Sequence, residues 1–191
     1  MVLDRMPPTQ SNNETLRDYT MQVSDEFEQC RRQAYSLALR LLNNQDDALE
    51  VVQTSIEKGL NHPNAPALDH AEFKPWLFTV VRNKSIDILR RKKNLPHVEH
   101  EEYHSAAPQK HEPERSLQQM QLKETIEQAL ELLNTQQREI VLLRDYHNFS
   151  YAEIAKILGI AKGSVMSRLH RARMALREIL IDRGVSLGGQ S

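Results

Sequence analysis

The sequence holds a single cysteine, Cys30, so no disulfide can close within the chain, and such sparing use of thiols fits a reducing compartment. No stretch approaches the roughly 18 uninterrupted apolar residues of a membrane-spanning helix, so no direct membrane insertion is expected. The first residues, with Pro7, Pro8, Ser11, Asn12 and Asn13, lack the apolar run of a secretion signal or an anchor. Residues 1–22 therefore read as a flexible tail and the protein as cytoplasmic. Also missing are a glycine loop able to cradle phosphate, paired cysteines at zinc-ligand spacing, and a nucleophile with an accompanying base. These absences argue against an enzyme, and no catalytic residue, cofactor or metal is expected.

What is present is charge and helical periodicity. Charged residues make up 27% of the 191 and aromatics 5%. Apolar residues recur at helical spacing along nearly the whole chain, which predicts an all-α protein with room for one or two small domains. The formal net charge of −1 conceals opposite local excesses.

A first domain is expected over residues 23–93. Ser24 is a good N-cap with Asp25 and Glu26 in the first turn. Phe27, Cys30, Ala34, Leu37, Ala38 and Leu41 form a stripe running to about Leu42, in which Cys30 reads as a small buried hydrophobe. Asn43-Asn44 breaks this helix, and Asn44 and Asp47 stand at capping-box spacing for the next. The inner face of that second helix is Ala48, Val51, Val52, Ser55, Ile56 and Leu60. Its outer side carries Asp46, Asp47, Glu50, Gln53 and Glu57, which taken alone reads as a solvated acidic face. The loop His62-Pro63-Asn64-Ala65-Pro66-Ala67 is too rich in proline to stay helical. A third helix begins between Glu72 and Pro75 and runs to about Lys93. From Lys74 to Lys93 seven bases face one acid, Asp87, more cation than a helix C-terminus calls for. Bases interleaved with Phe73, Trp76 and Phe78 suit single-stranded nucleic acid, where a flipped base stacks on a ring while cations hold the backbone. Core packing is expected to claim at least two of those three rings.

Residues 94–115 change character. Pro96, Pro108 and Pro113 mix with five glutamates and four histidines, the composition of a flexible acidic linker. His100-Glu101-Glu102-Tyr103-His104 matches the zinc-peptidase pattern in letters only. Those enzymes set the motif on a core helix beside a third ligand, whereas here only Val98 and Tyr103 could anchor a helix and prolines bracket it.

A second domain is expected over residues 116–182, followed by a tail over 183–191. Leu117, Met120, Ile126, Ala129, Leu130 and Leu133 make one stripe, and Asn134-Thr135 ends that helix and caps another, from Gln136 to about Asp145, offering Ile140, Val141 and Leu143. Ser150 and Glu153 then form a capping box for a short helix with Ile154, Ala155 and Leu158 inward. Gly159 supplies a tight turn, and a further helix opens near Ala161, packed inward by Val165, Leu169, Ala172 and Leu176. This is a helix-turn-helix pattern. The outer face of its last helix carries Lys162, Ser164, Met166, Ser167, Arg168, His170, Arg171 and Arg173, and from Ser150 to Leu180 six bases oppose two acids. Such a stripe neutralises phosphates and aims short side chains at base edges in the major groove.

These residues resemble the extracytoplasmic-function, or group IV, sigma factors of bacterial RNA polymerase. Tyr35 to Leu42 with Asp46 to Gln53 is similar to the family's polymerase-binding segment. Phe73 to Asn83 is similar to its minus-ten promoter helix. Leu133 to Arg144, Ser150 to Gly159 and Gly163 to Arg173 are similar to its fourth conserved region. The resemblance implies that Asp46, Asp47, Glu50 and Gln53 dock on core RNA polymerase. It implies that Asn64, Trp76, Arg82, Asn83, Lys84, Asp87, Arg90 and Arg91 lie at the melted minus-ten strand. Ser167, His170 and Arg171 would face bases of the duplex minus-thirty-five element, with Lys162, Met166 and the phosphate-side Ser164, Arg168 and Arg173 around them. An anti-sigma factor is a further implied partner. Three positions depart from the family's usual pattern: Met166 stands where a base is common, Thr54 replaces a usual acid, and the loop before the minus-ten helix has its own sequence. Two rival readings are a helix-turn-helix regulator that works without polymerase and a zinc hydrolase built on His100 and His104.

Overall fold

Helix α1 spans Ser11–Leu42 in a computed structural model that describes residues 11–63, 65–67, 71–94 and 117–185, with the side chains of 11–24, 94, 117 and 118 left out of the description. It begins well before Ser24, which lies inside it rather than at its start. The reason is legible in the sequence, since Leu16, Tyr19 and Val23 extend the stripe of Phe27 and Cys30 at three- and four-residue steps and no proline interrupts them. Part of the expected tail is therefore helical, and its first ten residues lie outside the described residues. Helix α1 stops where Asn43 turns left-handed at φ 49, its amide donating to the Leu39 carbonyl at 2.8 Å, a conformation asparagine tolerates better than most residues.

Asn44 then caps α2 (Gln45–Asn61), its side chain accepting from the Asp47 amide at 2.9 Å. Ala48, Val51, Val52 and Ser55 are buried as expected, but Leu60 is 61% exposed. The inward row continues instead through Gly59, where a Cβ would come within 2.9 Å of the Trp76 ring. Helix α3 (Phe73–Asn94) buries Phe73, Leu77, Phe78, Val81 and Ser85, and α1, α2 and α3 pack on one another. Cys30 lies in this core, where burial pushes its thiol up to about 11.

The second domain consists of α4 (Leu117–Leu132), α5 (Thr135–Val141), α6 (Tyr151–Leu158) and α7 (Lys162–Asp182). Asn134 caps α5 through a full capping box with Gln137. The helix expected to reach Asp145 ends early, because Leu142–Tyr146 widens into a π-helical turn in which the His147 amide donates to the Leu142 carbonyl at 3.0 Å. Met120, expected inward, is 51% exposed on α4. Among the described residues there is no strand, so the fold is all-α with a helix-turn-helix in its second domain.

The two domains do not stand apart. Helix α3 packs on α6 and α1 meets α5. The fully buried Phe78 ring of α3 meets Phe149 edge-on at 4.7 Å and His147 at 5.1 Å. The linker and the histidine motif at 100–104 lie outside the described residues.

Candidate nucleic-acid and polymerase interfaces

The helix-turn-helix is built by local rules the sequence states outright. The Ser150 amide donates to the Glu153 carboxylate at 2.8 Å and the Glu153 amide to Ser150 Oγ at 3.3 Å, closing both halves of the capping box. Gly159 ends α6 at φ 64, and the Ile160 amide satisfies the Ala155 carbonyl at 3.0 Å. Ile154 and Ile157 seal α6 inward; Ile157 was not in the expected face, which named its neighbours Ala155 and Leu158. Val165, Leu169 and Ala172 anchor α7 with at most 1% exposure, and Leu176 is half-buried.

Fixing one side of α7 determines what the other side offers. Lys162, Met166, Ser167, Arg168, His170 and Arg171 are exposed, and Ser164 is half-buried. Ser167 Oγ donates to the Ser164 carbonyl at 3.1 Å and Arg171 Nε to the Ser167 carbonyl at 3.4 Å, so both lie along the helix. Met166, 64% exposed, is an apolar island in this cationic face. Arg173 is tied by two hydrogen bonds to Asp145 in the π turn, and that bond raises its guanidinium pKa. Asp145 was not foreseen as a partner.

Helix α3 disposes its expected contacts unevenly. Asn83, Asp87, Arg90 and Arg91 are exposed, with Arg90 3.7 Å from Asp87. Lys84 reaches back to α2 and donates to Thr54 Oγ1 at 2.5 Å; burial, then Lys58, lowers its pKa. Trp76 is half-buried, stacked on Phe73 at 6.1 Å over Gly59. Arg82 crosses to the second domain and grips the buried Glu139 carboxylate with both Nε and Nη2, at 2.8 and 2.9 Å. Asn64 lies outside the described residues.

On α2 the acidic side faces outward at Asp46, Glu50, Gln53 and Glu57, with Leu49 54% exposed among them. Asp47 is the exception, bound to Lys92 of α3 at 2.5 Å. No group of three potential metal ligands occurs among the described residues, and none of their helices is long and apolar enough to cross a membrane.

Comparison with known proteins places both domains in one family. Residues 27–95 match the family described as Sigma-70 region 2, and residues 123–176 match Sigma-70, region 4. The ECF RNA polymerase sigma factor SigL of Mycobacterium tuberculosis is 35% identical over 152 residues, covering 78% of this chain and 83% of that protein. The chain is an extracytoplasmic-function sigma factor. The family's members are non-catalytic initiation factors, and this sigma factor directs core RNA polymerase to promoters and promotes the DNA melting that begins transcription. Membership sets aside both the free-standing regulator and the zinc hydrolase. SigW of Bacillus subtilis is 29% identical over 157 residues, covering 78% of this chain and 83% of its own length. Among solved structures, the sigma factor RpoE of Bartonella quintana in complex with the anti-sigma factor NepR superposes with a TM-score of 0.62 at 26% identity, over 82% of this chain and 95% of that one. CnrH in complex with the cytosolic domain of CnrY shares the fold, with a TM-score of 0.60 at 21% identity over 85% of this chain and 90% of that one.

Proposed function

We propose that this sigma factor divides its work among three surfaces. The exposed face of α7, with Lys162, Ser164, Met166, Ser167, Arg168, His170, Arg171 and Arg173, reads the duplex minus-thirty-five element. Helix α3 and its preceding loop, through Asn64, Trp76, Arg82, Asn83, Lys84, Asp87, Arg90 and Arg91, hold the melted minus-ten strand. The outer side of α2, with Asp46, Asp47, Glu50 and Gln53, docks on core polymerase. Residues 23–93 and 116–182 act as the two functional domains, joined by the acidic segment 94–115. The observation that carries this reading is α7 itself, a helix sealed into a core on one side and polar and cationic on the other. That is the arrangement by which a recognition helix enters a major groove.

Opening DNA costs about 1.4 kcal/mol per base-pair step, and each base captured on an aromatic ring returns about 1–3 kcal/mol. Trp76 is the one ring among these contacts, so a base stacked there offsets about one to two opened steps without any bond being made or broken. The protein works in the cytoplasm, catalyses nothing itself, and takes an anti-sigma factor as a further partner, a reading supported by the similar sigma factor RpoE solved with such a partner. A photoreactive residue in place of His170 should crosslink, in the holoenzyme, to duplex bases of the minus-thirty-five element. The same residue in place of Asp87 should crosslink to the minus-ten non-template strand. Crosslinks to the opposite elements, or none at all in an active holoenzyme, would overturn the assignment.

A further inference from the structure

Gly59 lies in the last turn of α2 with ordinary helical backbone, so no turn calls for it. Glycine at such a place destabilises a helix relative to alanine, because it gives up more chain freedom on folding. Its surroundings supply the reason. A Cβ there would stand 2.9 Å from Cζ3 and 3.2 Å from Cη2 of Trp76, and 3.6 Å from the Phe73 ring. Non-bonded carbons settle at about 3.5–4.0 Å, so even a single methyl group pushes the benzo end of the indole off α2.

Other neighbours hold the indole as well. Phe73, 3% exposed, stacks on it with centroids 6.1 Å and planes 29° apart, and Phe27 of α1 backs Phe73 at 6.1 Å. The Trp76 amide donates to the Glu72 carbonyl at 3.0 Å, which fixes the turn of backbone that carries the ring. Trp76 is nonetheless half-buried, whereas Phe73, Pro75 and Leu77 beside it are buried. The aromatic row therefore ends in a ring that keeps part of its surface uncovered.

We infer that Gly59 is a positioning residue for promoter opening: its missing side chain lets the Trp76 indole settle on α2 at the tilt in which its uncovered part accepts an unstacked base. This rests on the placement of Trp76 at the melted strand. A gap of about 0.5–1 Å between packed surfaces forfeits a quarter to a half of their dispersion attraction. A ring tilted out of its seat thus loses much of what a stacked base gains. The helix gives up stability at Gly59 and the strand site receives a ring held in one orientation.

Trp76 is the only tryptophan of the chain, so its emission reports this seat directly. The test compares Gly59→Ala, Trp76→Phe and the double variant, because phenylalanine is shorter than indole at the benzo end and leaves room for the methyl. In the full chain, Gly59→Ala should move the emission to longer wavelength, increase its quenching by acrylamide and fail to raise the urea midpoint. Made on top of Trp76→Phe, the same change should raise the midpoint, the ordinary gain from replacing a helical glycine. In the holoenzyme, Gly59→Ala should weaken binding of a fragment carrying the single-stranded minus-ten non-template strand about fivefold, about 1 kcal/mol, the low end of one base–aromatic stack. Binding of a duplex minus-thirty-five fragment serves as the comparison, and an equal loss on both would overturn the role. Unchanged emission with a higher urea midpoint for Gly59→Ala would overturn the seat itself. A displaced emission with full affinity for the melted strand would instead overturn the placement of Trp76 on that strand.

Discussion

Arg168 and Arg171 are neighbours on one exposed helix face, yet their expected roles differ. Arg171, whose Nε donates to the Ser167 carbonyl, is the one we propose reaches base edges. Replacing it with alanine should cost about 1–3 kcal/mol at the minus-thirty-five element and relax preference there, whereas Arg168→Ala should weaken every sequence alike. Binding to a promoter fragment and to a scrambled duplex separates the two, and equal losses on both from each variant would refute the distinction. Met166 offers a chemical probe of its own. An exposed thioether among cations suits a thymine methyl group. Exchanging the contacted thymine for uracil removes about 0.8 kcal/mol of apolar burial, about fourfold in affinity, and Met166→Ala should abolish that sensitivity.

Two elements carry predictions that belong to neither residue nor molecule alone. The capping box of α6 sets where the helix-turn-helix begins, so Ser150→Ala should destabilise the chain by about 1 kcal/mol, read as a lower urea midpoint with an unchanged slope. The outer side of α2 should fail differently. Glu50 is exposed, and its charge acts on Lys84 of α3 only as the last of several influences. Glu50→Lys should leave the unfolding curve in place while weakening competition for core polymerase about tenfold or more, since like charges brought together cost several kcal/mol. Normal competition by that variant would show the acidic side to be merely solvated. Most of this element-level detail is legible in the sequence because it is local. Asn44, Asn134, Ser150 and Gly159 each act on a backbone within three or four residues. What escapes is equally instructive: the π turn at Leu142–Tyr146 has no composition signature, and the start of α1 hides behind Ser24, an acceptable cap that a longer apolar stripe overrides.

At the scale of the whole molecule the contacts that matter join residues far apart in the chain. Arg82 with Glu139, Phe78 with Phe149 and Arg40 with Glu127 are invisible to periodicity, since every partner reads locally as an ordinary surface charge or core ring. Hence the sequence names Arg82 and Lys84 as cations of the minus-ten helix but cannot say that one is clasped by the second domain and the other by Thr54. The buried interface also leaves a pH signature. Burial, reinforced by Arg40 and Lys74, pushes His147 down to about 3, against about 6.5 in an unfolded chain. Its contribution to stability is therefore complete above pH 6.5 and is lost as pH falls toward 3, because only the unfolded form takes up the proton readily. Unfolding midpoints measured at pH 7 and pH 4.5 should fall further for the unmodified protein than for His147→Gln, and identical pH dependence would exclude this residue as a cause. Cys30 settles a different matter. A lone thiol, 7% exposed and pushed up to about 11, is almost wholly protonated at neutral pH and beyond the reach of peroxides or disulfide exchange. This chain consequently has no thiol poised to register an oxidant, and an oxidant that reaches it meets the exposed thioether of Met166 on the outer face of α7 before it meets sulfur in the core.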